Sequence, residues 1–105
     1  VIEYIPVPSS GLISNKEYFC QYAVGDSMLE KIEDGDLLVF EKNSAPELNT
    51  ICCFCTEENT SMCKMFVKSG SVYMLKPLNS NYDSIVVDSD SFRCIGKLKK
   101  IIRSV

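Results

Sequence analysis

No apolar run in this chain goes far without meeting a turn residue, and that punctuation limits what it can fold into. The runs EYFCQYAV (17–24), LLVFEK (37–42), TICCFC (50–55), MCKMFV (62–67), VYMLK (72–76), IVV (85–87) and FRCIGKLKKIIRSV (92–105) are rich in aromatic and β-branched residues. Such residues suit a pleated, half-buried surface. Between them stand GDSM, Asp34-Gly35, NSAPELN, TEENTS, Ser69-Gly70-Ser71, PLNSNYDS and DSDS, all typical turn chemistry. Only MLEKIE (28–33) places its apolar residues, Met28, Leu29 and Ile32, at helical spacing. The pattern predicts a mostly β fold of antiparallel strands with one short helix after GDSM, closed at Asp34-Gly35. Residues 62–76 read as a hairpin. The last run reads as one or two terminal strands. Pro6 and Pro8 cannot donate to a central ladder, so the N-terminal stretch VIEYIPVPSSG reads as an edge strand or extended arm.

At 105 residues the chain suits one small domain. Its net charge of −3 makes it a poor partner for nucleic acid by itself. No run approaches the roughly 20 apolar residues of a membrane span, and no signal peptide is visible. The first residue is Val1, which reads as a processing site or boundary with more sequence upstream. Of the six cysteines, Cys52, Cys53 and Cys55 lie within one apolar run, where successive side chains point to opposite faces. That placement favours reduced thiols filling the core of a cytoplasmic protein over a disulfide framework. Zinc ligands come as spaced pairs on turns, often with histidine, and neither condition holds. Asp34 and Asp36 in EDGD lack the spacing of a calcium loop and read as a plain turn.

Histidine is absent. A Ser-His-Asp triad, a Cys-His pair and histidine-based zinc chemistry are therefore excluded. Ser27 follows Gly25-Asp26 where a strand hands over to the expected helix. Backbone N–H groups are unpaired at such a junction, and an oxyanion hole needs them. The same local pattern also fits a cap, with Ser27 or Asp26 as the capping side chain. A nucleophilic serine without histidine needs another base, and the plausible one is lysine. An ordinary lysine, with a pKa of about 10.4, is protonated and useless for this. Burial among apolar groups lowers that value. Lys42 and Lys68 adjoin turn residues, and Lys97, Lys99 and Lys100 form a basic run expected to face solvent. Lys64 alone is enclosed by apolar neighbours, Met62, Cys63, Met65 and Phe66. It is either a desolvated lysine or one that snorkels from a sheet edge.

GDSM, DGDLLV, CKMF, YMLKPLNSNYDSIVV and IGKLKKIIR, in that order, resemble the C-terminal domain of the LexA, lambda-type phage repressor and UmuD family of self-cleaving proteins. The resemblance covers essentially the whole chain. Ser27 matches the family's nucleophile and Lys64, 37 residues on, its general base. Leu75, Pro77, Asn79 and Tyr82 match the family's L-x-P-x-N-x-x-Y in register. The resemblance implies a Ser-Lys serine peptidase that cleaves its own chain, with the backbone N–H groups of Ser27 and Asp26 holding the oxyanion and no cofactor or metal. It implies a homodimer, cleavage on contact with a RecA filament on single-stranded DNA, and DNA contact only through an N-terminal domain. Residues 1–105 would then form a single peptidase and dimerisation domain. Backward from GDSM, IEYIPVP falls where the family's cleavage loop has already ended. The scissile bond and the DNA-binding domain are accordingly expected upstream of Val1. A mutagenesis-polymerase accessory subunit of the UmuD type, and a dimerisation module with an idle dyad, are the alternatives. Ile95, Leu98, Ile101 and Ile102 mark the C-terminal strand as the expected pairing edge.

Overall fold

The computed structural model describes residues 16–87 and 92–103. Seven strands form it: β1 (Tyr18–Tyr22), β2 (Leu37–Lys42), β3 (Thr50–Thr56), β4 (Ser61–Ser69), β5 (Val72–Lys76), β6 (Ile85–Val86) and β7 (Phe92–Ile102). They make one sheet in the order β1-β2-β7-β3-β4-β5-β6, and each neighbouring pair is antiparallel. The mostly β, antiparallel expectation therefore holds. The hairpin read at 62–76 is present as well, with Ser69 opposite Val72 across Gly70-Ser71. The Pro6–Pro8 arm lies outside the described residues.

β7 occupies the middle of the sheet and pairs with β2 on one side and β3 on the other. Its register with β3 runs over Phe92–Lys97 and its register with β2 over Gly96–Ile102. Leu98–Ile102 are therefore in register with β2 alone, and their other side is the stretch of edge on which the expected pairing would fall. The side chains of Ile95, Leu98 and Ile101 pack against the buried cluster that contains Met28 and Ile32. Each side of β7 carries a register shift, opposite Val39/Phe40 and opposite Cys53/Phe54. Such bulges add local twist and bend the sheet.

The sheet is covered on both faces, which explains why β2 and β3 are apolar without alternation. One core cluster holds Met28, Ile32, Leu38, Phe40, Ile51 and Cys53; the other holds Cys52, Phe54, Phe66, Leu75 and Cys94. The alternation within ICCFC puts Cys53 in the first cluster and Cys52 in the second, and all six cysteines are free. Phe40 is fully buried and stacks on Phe19 with ring centroids 5.2 Å apart. Truncating it to alanine would cost about 3–5 kcal/mol through lost transfer energy and a residual void. A Cβ on Gly96 would stand 2.6 Å from the Phe19 ring, so this stacking requires glycine beneath it.

The short helix expected at 28–33 is not formed; the described residues contain none. The segment is a chain of turns, with Leu29 N–H bonded to the Asp26 carbonyl at 3.2 Å and Ile32 N–H to the Met28 carbonyl at 3.0 Å. Six residues are too few to offset helix nucleation on their own. The turns bury Met28 and Ile32 to 4% and 2% exposure without a helix, so the apolar spacing is satisfied by packing alone. No helix among the described residues is long and apolar enough to cross a membrane.

Candidate active site

Two features of the sheet bring the site together. β5 pairs with β4 only from Met65 to Ser69, because Pro77 follows β5 and cannot extend a ladder. Among the described residues, Ser61–Lys64 therefore have no strand on that side. The edge strand β1 approaches this gap, where Gln21 Oε1 accepts a hydrogen bond from Ser61 Oγ at 3.4 Å. A groove of about 240 Å³ lies between them, lined by Gln21, Ser27, Met28, Met62, Cys63 and Lys64 among others.

The GDSM turn enters this groove from β1. Gly25 has φ +84°, a conformation that side-chain-bearing residues rarely adopt. Its N–H donates to Asp34 Oδ1 at 2.8 Å, and the Ala23 carbonyl accepts from Gly35 N–H at 2.8 Å. The DGD turn thus holds the GDSM turn from behind. Asp36 is only 2% exposed and receives Arg103 Nε at 2.8 Å and Nη2 at 2.7 Å. Those bonds hold its carboxyl at about 2, well below the usual carboxylate range, against the opposing effect of burial. Neither this pairing nor the Asp34 bond was evident from EDGD. Arg103 lies 67 residues away, and nothing local signals it.

Ser27 and Lys64 meet. Lys64 Nζ lies 2.6 Å from Ser27 Oγ, in hydrogen-bond contact across those 37 residues. Lys64 is half-buried on β4, and desolvation lowers its pKa from the ordinary lysine value, with a smaller opposing effect from Cys63. Burial pushes the Cys63 thiol up to about 12, so it stays protonated beside the amine. Among the described residues no carboxylate forms an ion pair with Lys64.

Neither capping alternative is realised. The Ser27 hydroxyl is engaged by Lys64, and the Asp26 carboxylate accepts the Tyr82 hydroxyl. Among the described residues the N–H groups of Asp26 and Ser27 have no hydrogen-bond acceptor, so two donors stand open on the turn that carries the hydroxyl. Two further residues bear on the turn from the loop after β5. Asn79 Nδ2 donates to the Asp26 carbonyl and Asn79 N–H to the Ser27 carbonyl, each at 2.9 Å. In PLNSNYDS these residues look like ordinary turn formers, and only their register in the family motif set them apart.

The arrangement is able to move a proton from a serine hydroxyl to an amine and to bind a developing anion by backbone N–H groups. Residues 1–99 match the family model described as Peptidase S24-like. Over 99 residues the chain is 32% identical to a LexA repressor of Clostridium novyi (strain NT), covering 93% of this chain and 48% of that protein. It is 32% identical to a LexA repressor of Bacillus cytotoxicus, covering 100% of this chain and 50% of the relative. It is 33% identical to a LexA repressor of Staphylococcus aureus (strain N315), covering 98% and 50%. The chain thus spans about half the length of the curated relatives it matches.

Proposed function

This chain belongs to the S24-like peptidase family, and from that premise we propose that it is the self-cleaving C-terminal domain of a LexA-type repressor, with Ser27 as nucleophile and Lys64 as general base. The observation that carries this reading is the 2.6 Å contact between Lys64 Nζ and Ser27 Oγ in a chain without histidine. Desolvation of Lys64 supports it, because a base must be able to shed its proton near working pH.

Neutral Lys64 takes the hydroxyl proton as Ser27 Oγ attacks a peptide carbonyl of the same chain. The N–H groups of Ser27 and Asp26 receive the oxyanion. Collapse breaks the C–N bond, and the Lys64 ammonium returns its proton to the leaving amine. Lys64 then deprotonates a water that hydrolyses the acyl-enzyme, and Ser27 regains its proton.

The bond cut lies upstream of Val1, between this domain and an N-terminal DNA-binding domain. The full protein acts as a homodimer, and a RecA filament on single-stranded DNA triggers its cleavage. The test is to extend the chain upstream to full length and incubate it at alkaline pH. Specific cleavage is expected, and Ser27→Ala or Lys64→Ala should each abolish it. If the full-length wild type stays intact at high pH and with RecA filament, the protease reading is wrong and the domain serves association alone.

A further inference from the structure

The turn bearing Ser27 is exposed at Gly25 and Asp26, yet the hydroxyl it carries must meet Lys64 within hydrogen-bond distance. The anchors from the DGD turn act on Ala23 and Gly25, before the serine, and Met28 is buried after it. Between these points the Asp26 carbonyl accepts Leu29 N–H at 3.2 Å within the turn itself, and the remaining hold on Ser27 comes from outside the turn. Asn79 grips both carbonyls that flank Ser27: its Nδ2 holds that of Asp26 and its N–H that of Ser27.

Asn79 is itself held at every polar group. Its Oδ1 accepts Asn81 N–H at 3.0 Å and its carbonyl accepts Tyr82 N–H at 3.1 Å. The first of these bonds also sets the amide, with oxygen toward Asn81 and nitrogen toward Asp26. Leu78 packs against the core cluster that contains Met28 and Ile32, and Pro77 is buried, so the loop rests on the sheet rather than hanging from it. Tyr82 then reaches back and donates its hydroxyl to the Asp26 carboxylate.

Resting on the Ser-Lys reading above, we propose that Asn79 is a positioning residue for the nucleophile, with Tyr82 as its support. In a trans peptide the carbonyl and the following N–H point in opposite directions, and the Asp26–Ser27 bond is not among the cis bonds. Drawing the Asp26 carbonyl toward Asn79 therefore turns the Ser27 N–H away from it, free to receive an oxyanion. Holding the Ser27 carbonyl as well confines both backbone dihedrals at Ser27 and with them the direction of Cβ and Oγ. Asn79 touches neither substrate nor the proton in flight. It acts through the two peptide planes on either side of Ser27.

Asn79→Asp separates this role from loop folding. The aspartate keeps an acceptor for Asn81 N–H and both backbone bonds, but replaces the donor to Asp26 with an oxygen. The measurement is the first-order self-cleavage rate of the full-length protein across pH, with a thermal melt of each variant. A small misplacement of reacting groups costs up to about a hundredfold, so the alkaline plateau of Asn79→Asp is expected to fall at least about tenfold. The melting temperature is expected to stay put, while the added carboxylate raises the midpoint set by Lys64, so the plateau, where the amine is neutral, is the readout. Tyr82→Phe, which loses one hydroxyl and keeps the ring, should lower the plateau by a smaller factor, and it carries the test should Asn79→Asp melt early. A wild-type plateau in a folded variant overturns the proposal. So does a loss that tracks the melting temperature, or a midpoint shift in the uncharged Tyr82→Phe, since either marks a merely structural role. Residual cleavage in Ser27→Ala would sink the dyad itself, an outcome separate from any result at Asn79.

Discussion

Lys64 and Lys97 stand in one row across the sheet. Cys52 of β3 is in register with Lys64 of β4 on one side and with Lys97 of β7 on the other. Each amine has a partner at 2.6 Å. For Lys97 the partner is the Glu47 carboxylate, which raises the lysine pKa and lowers that of Glu47. For Lys64 the partner is a neutral hydroxyl, and desolvation lowers the lysine pKa. Row and contact distance are shared, so desolvation at Lys64 and the carboxylate partner at Lys97 decide. The β7 flank continues with Lys99 and Lys16 on Glu41, itself only 9% exposed and held below the usual carboxylate range, chiefly by Lys99. The basic run read as a solvated face is thus largely an ion-pair surface, whereas the groove keeps its single amine away from carboxylates.

The largest effect expected from this difference is catalytic. Lys64→Ala should lower full-length self-cleavage by about 10³-fold or more, as loss of one member of a catalytic unit does. Lys97→Ala should leave the rate within about twofold, and gel-resolved cleavage time courses measure both. An equal loss from Lys97→Ala would erase the distinction between the two lysines.

Next comes an attempt to make the groove resemble the flank. Gln21 lines the groove with Lys64. Gln21→Glu supplies the missing carboxylate, which favours the ammonium and should move the midpoint of the cleavage rate–pH curve up by about one pH unit. In the wild type the rate should climb with pH as Lys64 deprotonates. A profile flat from neutral to alkaline pH would argue against a lysine base.

Asp36 gives a buried counterpart to the exposed pair at Glu47. Its folded pKa of about 2 lies below the unfolded value, so it contributes stability above about pH 4. That contribution should drain away as pH falls from about 4 to about 2. Arg103→Ala should lower the melting temperature by several degrees at neutral pH and flatten this acid limb, whereas Glu47→Ala should do little, since exposed pairs contribute little. Calorimetric melts from pH 7 to 2 compare the two.

The smallest effect concerns the stability contribution of Lys64. Its folded pKa lies below the unfolded one, so in the window between them the unfolded chain holds more protons and stability rises with pH. At neutral pH the protonated amine carries a desolvation cost. Lys64→Met should therefore raise the melting temperature slightly and flatten the alkaline rise. A lower melting temperature would mean that the amine contributes more through its hydroxyl contact than it loses through desolvation.

Much of the fold was legible in residue order because turn chemistry is local. Ser69-Gly70-Ser71 closes the β4–β5 hairpin as read, and the doubly apolar TICCFC is a strand buried on both faces. Helical spacing in MLEKIE misled because Met28 and Ile32 find their core contacts from turns as readily as from a helix. The C-terminal strand was legible as a strand, but not its place in the middle of the sheet. Its Ile95, Leu98 and Ile101 pack against the chain's own core, while the backbone of Leu98–Ile102 is in register with β2 alone.

The sequence by itself determined the chemical alphabet. Without histidine, and with one lysine set among apolar neighbours, it left Ser27 and Lys64 as the pair to consider, and local patterning supplied the strands that carry them. Only the tertiary structure decided that the two meet, that β7 lies in the centre, that Arg103 balances Asp36, and that Asn79 grips the serine's flanking carbonyls. These contacts join residues 37 to 67 positions apart. Periodicity reports which face a residue occupies on its own element. Which elements come to lie side by side depends on the packing of the whole sheet, and no local pattern encodes that.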